Sequence, residues 1–291
     1  MNRTVTIGYR ASAAPPHPIR QLGGALAEVW DRRRLIRYLV QADLKKKGAD
    51  TLLGNVWWVL DPFLQMIVYV ILVSVIAART QPDYPLFIFA AILPWKWFTS
   101  SIGDAITSVS SQERLIKQIQ FPKLVLPTAA TVAGVVNFAF GLIPLVGLLL
   151  LFYRDRLSPW LLCLPLIAVV QFVFTLGLGY LVAALNVFYR DVGNVSRHAL
   201  RIWFYLSPGL YGPEQLRTLA ESHPTVAHLM TLNPFYALFQ AYRAVIYGST
   251  DGGPAAPDWS GLAAVFLFSL AFLAAATLVF KRLEPAFAKV L

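Results

Sequence analysis

The strongest constraint on the fold of this chain is a run of 22 residues, Trp259–Phe280, without a single charged side chain. An α-helix rises 1.5 Å per residue, so about 20 apolar residues cross the hydrocarbon core of a bilayer. Further apolar stretches lie at Val56–Ala78, Tyr84–Trp97, Leu124–Phe152 and Trp160–Tyr189. The pattern predicts an all-α integral membrane protein.

Composition excludes an ordinary soluble domain. Charged residues are 14% of the 291 residues and apolar residues are 57%, whereas soluble domains are about a quarter charged and under half apolar. Cys163 is the single cysteine, which excludes an intrachain disulfide and a cysteine-rich metal site.

The basic residues alternate between loops, which predicts the topology. Of 25 lysines and arginines, 19 fall in four segments, and these are 1–55, 109–123, 190–201 and 281–291. Cytoplasmic loops collect such residues, so both termini are predicted to be cytoplasmic. The net charge of +10 is therefore not interpreted as a nucleic-acid-binding surface. Six spans fit, at about 56–78, 84–108, 124–152, 160–189, 195–211 and 259–280.

The N-terminal region divides into two parts ahead of a single six-helix transmembrane domain over 56–291. Residues 1–25 are rich in proline, alanine and arginine and are predicted to be a flexible cytoplasmic tail. Residues 26–55 combine apolar side chains at helical spacing with basic ones, typical of an amphipathic helix at the membrane interface. Asp61-Pro62 has the form of an N-cap with a first-turn proline and is expected to open span one.

Two of the predicted spans are irregular. Span two is expected to be interrupted by Pro94, and it carries the charged residues Lys96 and Asp104. The apolar piece Ile202–Tyr211 in span five is too short by itself to cross the bilayer. Asn233-Pro234 then begins a second short apolar helix. Short re-entrant or gate helices are therefore predicted between spans five and six.

The sequence lacks the motifs of several common enzyme and nucleotide-binding sites. The sequence contains no G-x-x-x-x-G-K-[ST] loop for ATP phosphates, no H-E-x-x-H and no G-x-S-x-G. The four histidines are scattered, and the aspartates Asp61, Asp104 and Asp191 are far apart in sequence. We predict no catalytic residue, no metal site and no cofactor in this chain.

A series of short motifs nevertheless occurs in a definite order between residues 41 and 247. The series comprises Asp43-Leu44-Lys45, Leu53-Gly54, Trp57-Trp58, Asp61-Pro62, Leu93-Pro94-Trp95, Leu115-Ile116-Lys117, Phe121-Pro122-Lys123, Leu126-Pro127, Leu185–Asp191, Leu206-Ser207-Pro208 and Leu232-Asn233-Pro234 with Arg243. Together with the six-span pattern it resembles the permeases of ABC-2 type exporters for O-antigen, teichoic acid and other polysaccharides. Lys46-Lys47-Gly48 departs from the stretch usual in that family.

The resemblance implies a transport subunit in the cytoplasmic membrane. The family works as a homodimer with two copies of a separate P-loop ATPase, which holds the ATP and magnesium. Its cargo is a polyprenyl-pyrophosphate-linked polysaccharide. Three alternatives stay open: an ABC-2 permease for a small amphiphile or drug, a membrane glycosyltransferase, and a scaffold subunit.

The resemblance gives roles to the cytoplasmic loops. We expect the loops 110–123 and 189–201 to couple to the ATPase, because no other inner connections are available to dock it. Gln112–Gln120 can form a short helix that ends before Pro122. The candidate coupling residues are Gln112, Glu113, Arg114, Lys117, Phe121, Pro122, Arg190 and Asp191. The alternative is that these loops are basic only because they are cytoplasmic.

Two further sets of residues are candidates for contact with cargo. The basic residues of the N-terminal helix can bind a pyrophosphate headgroup or anionic membrane lipid, and these are Arg33, Arg37, Lys45, Lys46 and Lys47. Aromatic side chains near the broken helices can form a pore or outer gate, or an interfacial belt. The pore or gate candidates are Trp95, Lys96, Trp97, Tyr205, Tyr211, Asn233 and Arg243. A charge inside a span should face protein or water, so Lys96 is the most specific of them; the alternative is that it snorkels to the interface.

Overall fold

The computed structural model describes residues 18–49, 53–76, 82–210, 212–249 and 251–291. Every regular element in these ranges is a helix, which confirms the all-helical prediction. Twelve α-helices follow in chain order: α1 Pro18–Asp31, α2 Arg33–Gly48, α3 Trp57–Val70, α4 Tyr84–Ser108, α5 Glu113–Gln118, α6 Val125–Leu151, α7 Leu164–Phe188, α8 Val192–Leu206, α9 Pro213–Ser222, α10 Pro224–Thr231, α11 Pro234–Ile246 and α12 Trp259–Val290. The π-helical segment Ile71–Ile76 extends α3.

Among the described residues, four helical stretches are long and apolar enough to cross a membrane. They are Tyr84–Gln118, Val125–Leu151, Pro159–Phe188 and Trp259–Val290. Two of the six predicted spans are not among them, because the apolar part of α3 is short and α8 has 15 residues. The length and composition of the four stretches are consistent with an integral membrane protein, and the count of six stays a prediction.

The helix α4 forms the centre of the bundle. It packs against α3, α6, α7, α8 and α11, and a continuous buried run from Leu86 to Trp95 fills the main core. Such all-round burial explains why the apolar residues in this part of α4 do not follow the spacing of a single helix face. The helix therefore positions the elements packed around it.

Contacts between loops define the two ends of the bundle. Asp83, Arg156 and Tyr247 meet at one end, here called the Arg156 end. At the other end Lys117 donates a hydrogen bond to the carbonyl oxygen of Leu291 at 2.8 Å. We call this second end the basic end, because α2, α5 and the tail of α12 bring their lysines and arginines there.

Pro94 does not interrupt α4, contrary to expectation. The helix runs unbroken from Tyr84 to Ser108 with Pro94 inside it. A proline removes one backbone hydrogen bond and displaces the preceding turn. The side-chain amide of Gln171 on α7 donates to the Pro94 carbonyl oxygen at 2.8 Å, which connects α7 to α4 at this point, and packing around the buried run Leu86–Trp95 holds the helix together past the proline.

The N-terminal region differs from the prediction of one helix over 26–55. Two helices, α1 and α2, occupy residues 18–48. Residues 18–25, expected within a flexible tail, are helical because α1 packs on the end of α12, where Ala25 is buried and Glu28 pairs with Lys281. The rest of the predicted tail, 1–17, lies outside the described residues.

The predicted helix start at Asp61-Pro62 is wrong. The helix α3 begins at Trp57, after a 3-10 turn at Gly54–Val56, and Pro62 lies inside it. A 3-10 turn commonly begins an α-helix. Pro62 lies only five residues after Trp57, so it costs one early hydrogen bond and the helix continues.

The close approach of α4 and α6 depends on Gly134. A Cβ atom at this position would lie 1.9 Å from Ser101 Oγ and 3.2 Å from Trp97 Cδ1. We expect Gly134→Ala to cost about 1–3 kcal/mol through overpacking. Gly147→Ala on the same helix is the control, since nothing lies within 4 Å of its added Cβ. Thermal unfolding in detergent measures both, and equal melting temperatures would contradict the prediction.

Candidate functional sites

The helices α8 and α11 lie end to end along α4. Near the basic end, Gly193 at the start of α8 approaches Ile106. Halfway along, Trp203 of α8 and Phe235 of α11 both contact Trp95. At the Arg156 end, Tyr247 packs on Phe87 and donates to the Pro82 carbonyl oxygen at 3.0 Å. The two helices therefore cover successive parts of α4 in the same direction, like one helix with a break.

Asn233 joins the two halves at this break. Its Oδ1 caps α11 by accepting from the Phe235 N–H at 3.0 Å, as the sequence predicted for Asn233-Pro234. The same atom accepts from the Trp203 indole N–H at 2.9 Å, and its Nδ2 donates to Ser207 Oγ at 2.7 Å. One side chain thus holds the end of α8 against the start of α11.

Arg243 anchors the backbone that follows α8. It is almost fully buried, and its Nη2 donates to the Gly209 carbonyl oxygen at 2.5 Å. Its guanidinium lies 3.8 Å from the centroid of the Phe87 ring, a cation–π contact. The residue connects α11, the 207–210 segment and α4.

The other predicted gate residues separate into two groups. Trp95 and Trp97 are buried in the core around α4, whereas Tyr205 is half exposed on α8. Tyr211 lies outside the described residues. In this conformation the exposed aromatic surface near the break therefore comes from α8 and not from the tryptophans of α4.

A polar face remains uncovered on α4. Lys96, Thr99, Ser100, Gly103, Asp104 and Thr107 are at least partly exposed, and they recur at the spacing of one helix face. Lys96 forms an ion pair with Asp61 of α3 and lies 3.4 Å from Gln65 Oε1. Charged side chains at membrane depth face protein or water, so this face of the helix points away from lipid.

Lys47, at the end of α2, contacts the polar face of α4 near the basic end. Its ammonium lies 2.6 Å from Asp104 Oδ2 and 2.9 Å from Asp43 Oδ2. Burial disfavours the charge, but the two carboxylates outweigh it, so the pKa of Lys47 lies above its ordinary value. Lys47 is therefore a paired cation, unlike the other basic residues of α2.

The predicted amphipathic character of α2 is seen in its packing. Ile36 and Val40 are buried against Val125, Ala129 and Ala133 near the start of α6. The four other basic residues predicted to bind a headgroup are exposed, and these are Arg33, Arg37, Lys45 and Lys46. The helix thus presents a basic surface beside the bundle.

The short helix α5 forms as the 112–120 pattern predicted. Its residues Glu113, Arg114 and Lys117 are exposed and Gln112 is partly exposed, and Lys117 pairs with Glu113 at 2.6 Å. Phe121 is buried just beyond it, and Pro122 is partly buried. Arg190 and Asp191 lie exposed in the neighbouring loop, so every predicted coupling residue belongs to the basic end.

The tail of α12 ties α5 and α1 together. The backbone N–H of Lys123 donates to Glu284 Oε1 at 2.7 Å, and the Lys281 ammonium forms ion pairs with both Glu284 and Glu28. A groove of about 600 Å³ runs between these elements, bordered by Lys117 and Phe121. These contacts therefore connect α5 and the residues that follow it to the tail of α12.

At the Arg156 end, Arg156 links three loops. Its guanidinium donates to Asp83 Oδ2 at 2.6 and 3.0 Å, and to the carbonyl oxygens of Tyr247 and Ser249 at 3.0 and 2.7 Å. It also lies 4.6 Å from the Tyr247 ring centroid. The side chain is 4% exposed. This arginine clasp holds the start of α4, the end of α6 and the end of α11.

Sequence reasoning missed the partners of the charged residues. Asp61 and Gln65 are four residues apart in α3, so they share a face, and this spacing was a usable signal for a polar seam opposite Lys96. Nothing local identified Arg156 or Asp83 as a pair. In the part of the chain that the structure describes, no three histidine, cysteine or carboxylate side chains are grouped as a metal site.

Comparison with known proteins identifies the family to which this chain belongs. Residues 34–247 match the family described as ABC-2 type transporter, so the chain belongs to that family and is a transport subunit. A protein named O-antigen export system permease protein RfbA, from Myxococcus xanthus, is 33% identical over 262 residues, covering 90% of this chain and 97% of the relative. A Klebsiella pneumoniae protein of the same name is 23% identical over 88% of this chain and 95% of that relative.

Proposed function

We propose that this chain is the permease subunit of an ABC exporter that carries a polyprenyl-pyrophosphate-linked polysaccharide out across the cytoplasmic membrane. The observation that carries the proposal is the similarity to O-antigen export permeases over nearly the full length of those relatives. The uncovered polar face of α4 supports it, because a hydrophilic polymer needs a polar path through an apolar bundle.

The proposed topology places the basic end in the cytoplasm with both termini. The concentration of lysine and arginine there supports this orientation. Six crossings are proposed, made by α3, α4, α6, α7, the α8–α11 pair and α12. Alone, α8 spans about 22 Å at 1.5 Å per residue, and α11 supplies the remaining length. Discontinuous helices of this kind recur at transport sites.

Two copies of this chain are proposed to form the pathway with two copies of a P-loop ATPase. The ATPase would dock on α5 and the 189–191 loop, since these exposed segments stand at the basic end. The link from Lys117 to Leu291 and from Lys123 to Glu284 supports a direct mechanical route into α12. The exposed basic face of α2 would bind the pyrophosphate headgroup, and the region around Tyr205 and Asn233 would gate the exit.

Depletion of the chain tests this function. We expect lipid-linked glycan to accumulate in the cytoplasmic leaflet and surface glycan to disappear, as followed by glycan electrophoresis and by glycosidase accessibility in spheroplasts. Re-expression from a plasmid is the control. Normal surface glycan after depletion would refute the proposal, and altered drug accumulation with normal glycan would favour a small amphiphile as cargo.

Charge reversal at the proposed docking loop tests coupling. Arg190→Glu should reduce co-purification of the ATPase at least about tenfold, because misplaced like charges at an interface cost several kcal/mol. Arg154→Glu is the matched control, since it changes an exposed arginine at the Arg156 end. If both variants retain the ATPase equally, Arg190 is not part of the interface.

A further inference from the structure

A cleft opens on the polar face of α4, between α2, α3 and α6. Its volume is about 420 Å³, within the range of small-molecule sites. Asp61 on its rim is 58% exposed. Because an exposed carboxylate inside the bundle height must face water or protein, the cleft opens away from lipid.

The charges of the cleft cancel. Four charged residues line it, two lysines and two aspartates. Lys96 pairs with Asp61 and Lys47 pairs with Asp104, so neither ammonium is available as an isolated cation. A phosphate would have to displace a carboxylate from one of these pairs. The cleft is therefore suited to an uncharged polar ligand.

Aromatic rings form the wall of the cleft. Trp57, Trp58, Trp97 and Phe138 all border it; Trp57 is 45% exposed, and Trp97 stacks on Phe138 with ring centroids 4.7 Å apart. Large rigid rings offer apolar area at low entropic cost. The axial C–H face of a pyranose ring is apolar and fits such a surface, while its rim of hydroxyls stays available for hydrogen bonds.

Two polar atoms at the cleft lack partners. Trp97 Nε1 and Asn137 Oδ1 are shielded from solvent and form no hydrogen bond with any residue that the structure describes. One is a donor and the other an acceptor. A buried polar group without a partner is costly, and a hydroxyl, which both donates and accepts, is the group that matches this pair.

We propose that this cleft binds a neutral glycosyl unit of the exported polysaccharide, with Trp57 and Trp58 stacking on the ring and with Trp97 and Asn137 bonding to its hydroxyls. The inference rests on the proposed function and adds to it a specific saccharide subsite. The exposed arginines and lysines of α2 remain the place for the charged headgroup, so sugar and headgroup occupy separate surfaces.

Binding to the permease in nanodiscs tests the subsite. The probes are a fluorescent glycan fragment, released by mild acid from the lipid-linked polysaccharide of the host, and farnesyl pyrophosphate. We expect saturable binding of the fragment, weakened about tenfold by Trp57→Ala and by the Trp97→Phe/Asn137→Ala double variant. Trp259→Phe at the Arg156 end is the matched control and should bind as the unmodified protein does.

Three results would overturn the inference: no binding of the fragment, equal binding by the cleft variants and the control, or displacement of the fragment by farnesyl pyrophosphate. Trp57 is exposed, so Trp57→Ala keeps the test valid if the double variant unfolds. Should depletion block export while the cleft variants bind and export normally, only the subsite fails and the exporter proposal stands.

Discussion

Leucine in place of Arg156 is expected to lower the free energy of unfolding by about 3 kcal/mol or more, because breaking a buried ion pair leaves uncompensated polar groups. The arginine makes four hydrogen bonds to two other loops, and Asp83 and two carbonyl groups would lose their donor. Thermal unfolding in detergent, followed by size-exclusion chromatography, measures the effect.

Two further variants separate geometry from charge at the clasp. Arg156→Lys keeps the charge but lacks the planar fork of donors, so most of the loss should remain. Arg154→Ala is the neighbouring control, since Arg154 is exposed and bonds only locally to Leu150, and it should change stability by less than about 0.5 kcal/mol. Full stability of Arg156→Lys would mean that charge alone maintains the clasp.

Asn233→Leu is expected to cost about 3 kcal/mol and to abolish export. Loss of an N-cap costs about 1 kcal/mol, and the Trp203 indole N–H is left without its acceptor, which adds about 1–3 kcal/mol. Because Asn233 also holds Ser207, the end of α8 and the start of α11 lose the hydrogen bonds that join them through this side chain. Thermal unfolding and surface glycan are the two measurements.

Asn233→Ser tests the N-cap of α11 separately from the hydrogen bonds that join α11 to α8. Serine caps helices well but is too short to reach both Trp203 and Ser207. We expect its melting temperature to lie between those of the unmodified protein and Asn233→Leu, with export still impaired. Normal export by Asn233→Ser would show that α8 and α11 work without this link.

The sequence predicted those features that depend on neighbouring residues. The uncharged run Trp259–Phe280, the cap at Asn233-Pro234 and the short helix before Pro122 are each encoded locally, and each was found in the expected place. Local rules also misled. Pro94 was expected to interrupt a helix, but α4 continues through it, packed against helices from distant parts of the sequence.

The candidate sites depended still more on distant residues. Lys96 was singled out as an unusual charge, but its partner Asp61 is 35 positions away and belongs to another helix. Arg156 and Asp83 are separated by 73 positions in loops of ordinary composition. Pairs of this kind follow from packing of the helices around α4, which no hydrophobic pattern specifies.

The break between α8 and α11 has a consequence for divergence among homologous chains. The intervening residues 208–232 leave and rejoin the bundle at neighbouring points, because Asn233 Nδ2 lies 2.7 Å from Ser207 Oγ. A loop whose two ends are held together in this way can change length at small cost, because each doubling of its length adds only about 0.6 kcal/mol to the free energy of loop closure. Insertions, deletions and altered composition should therefore accumulate in α9 and α10, while the lengths of α8 and α11 stay constant.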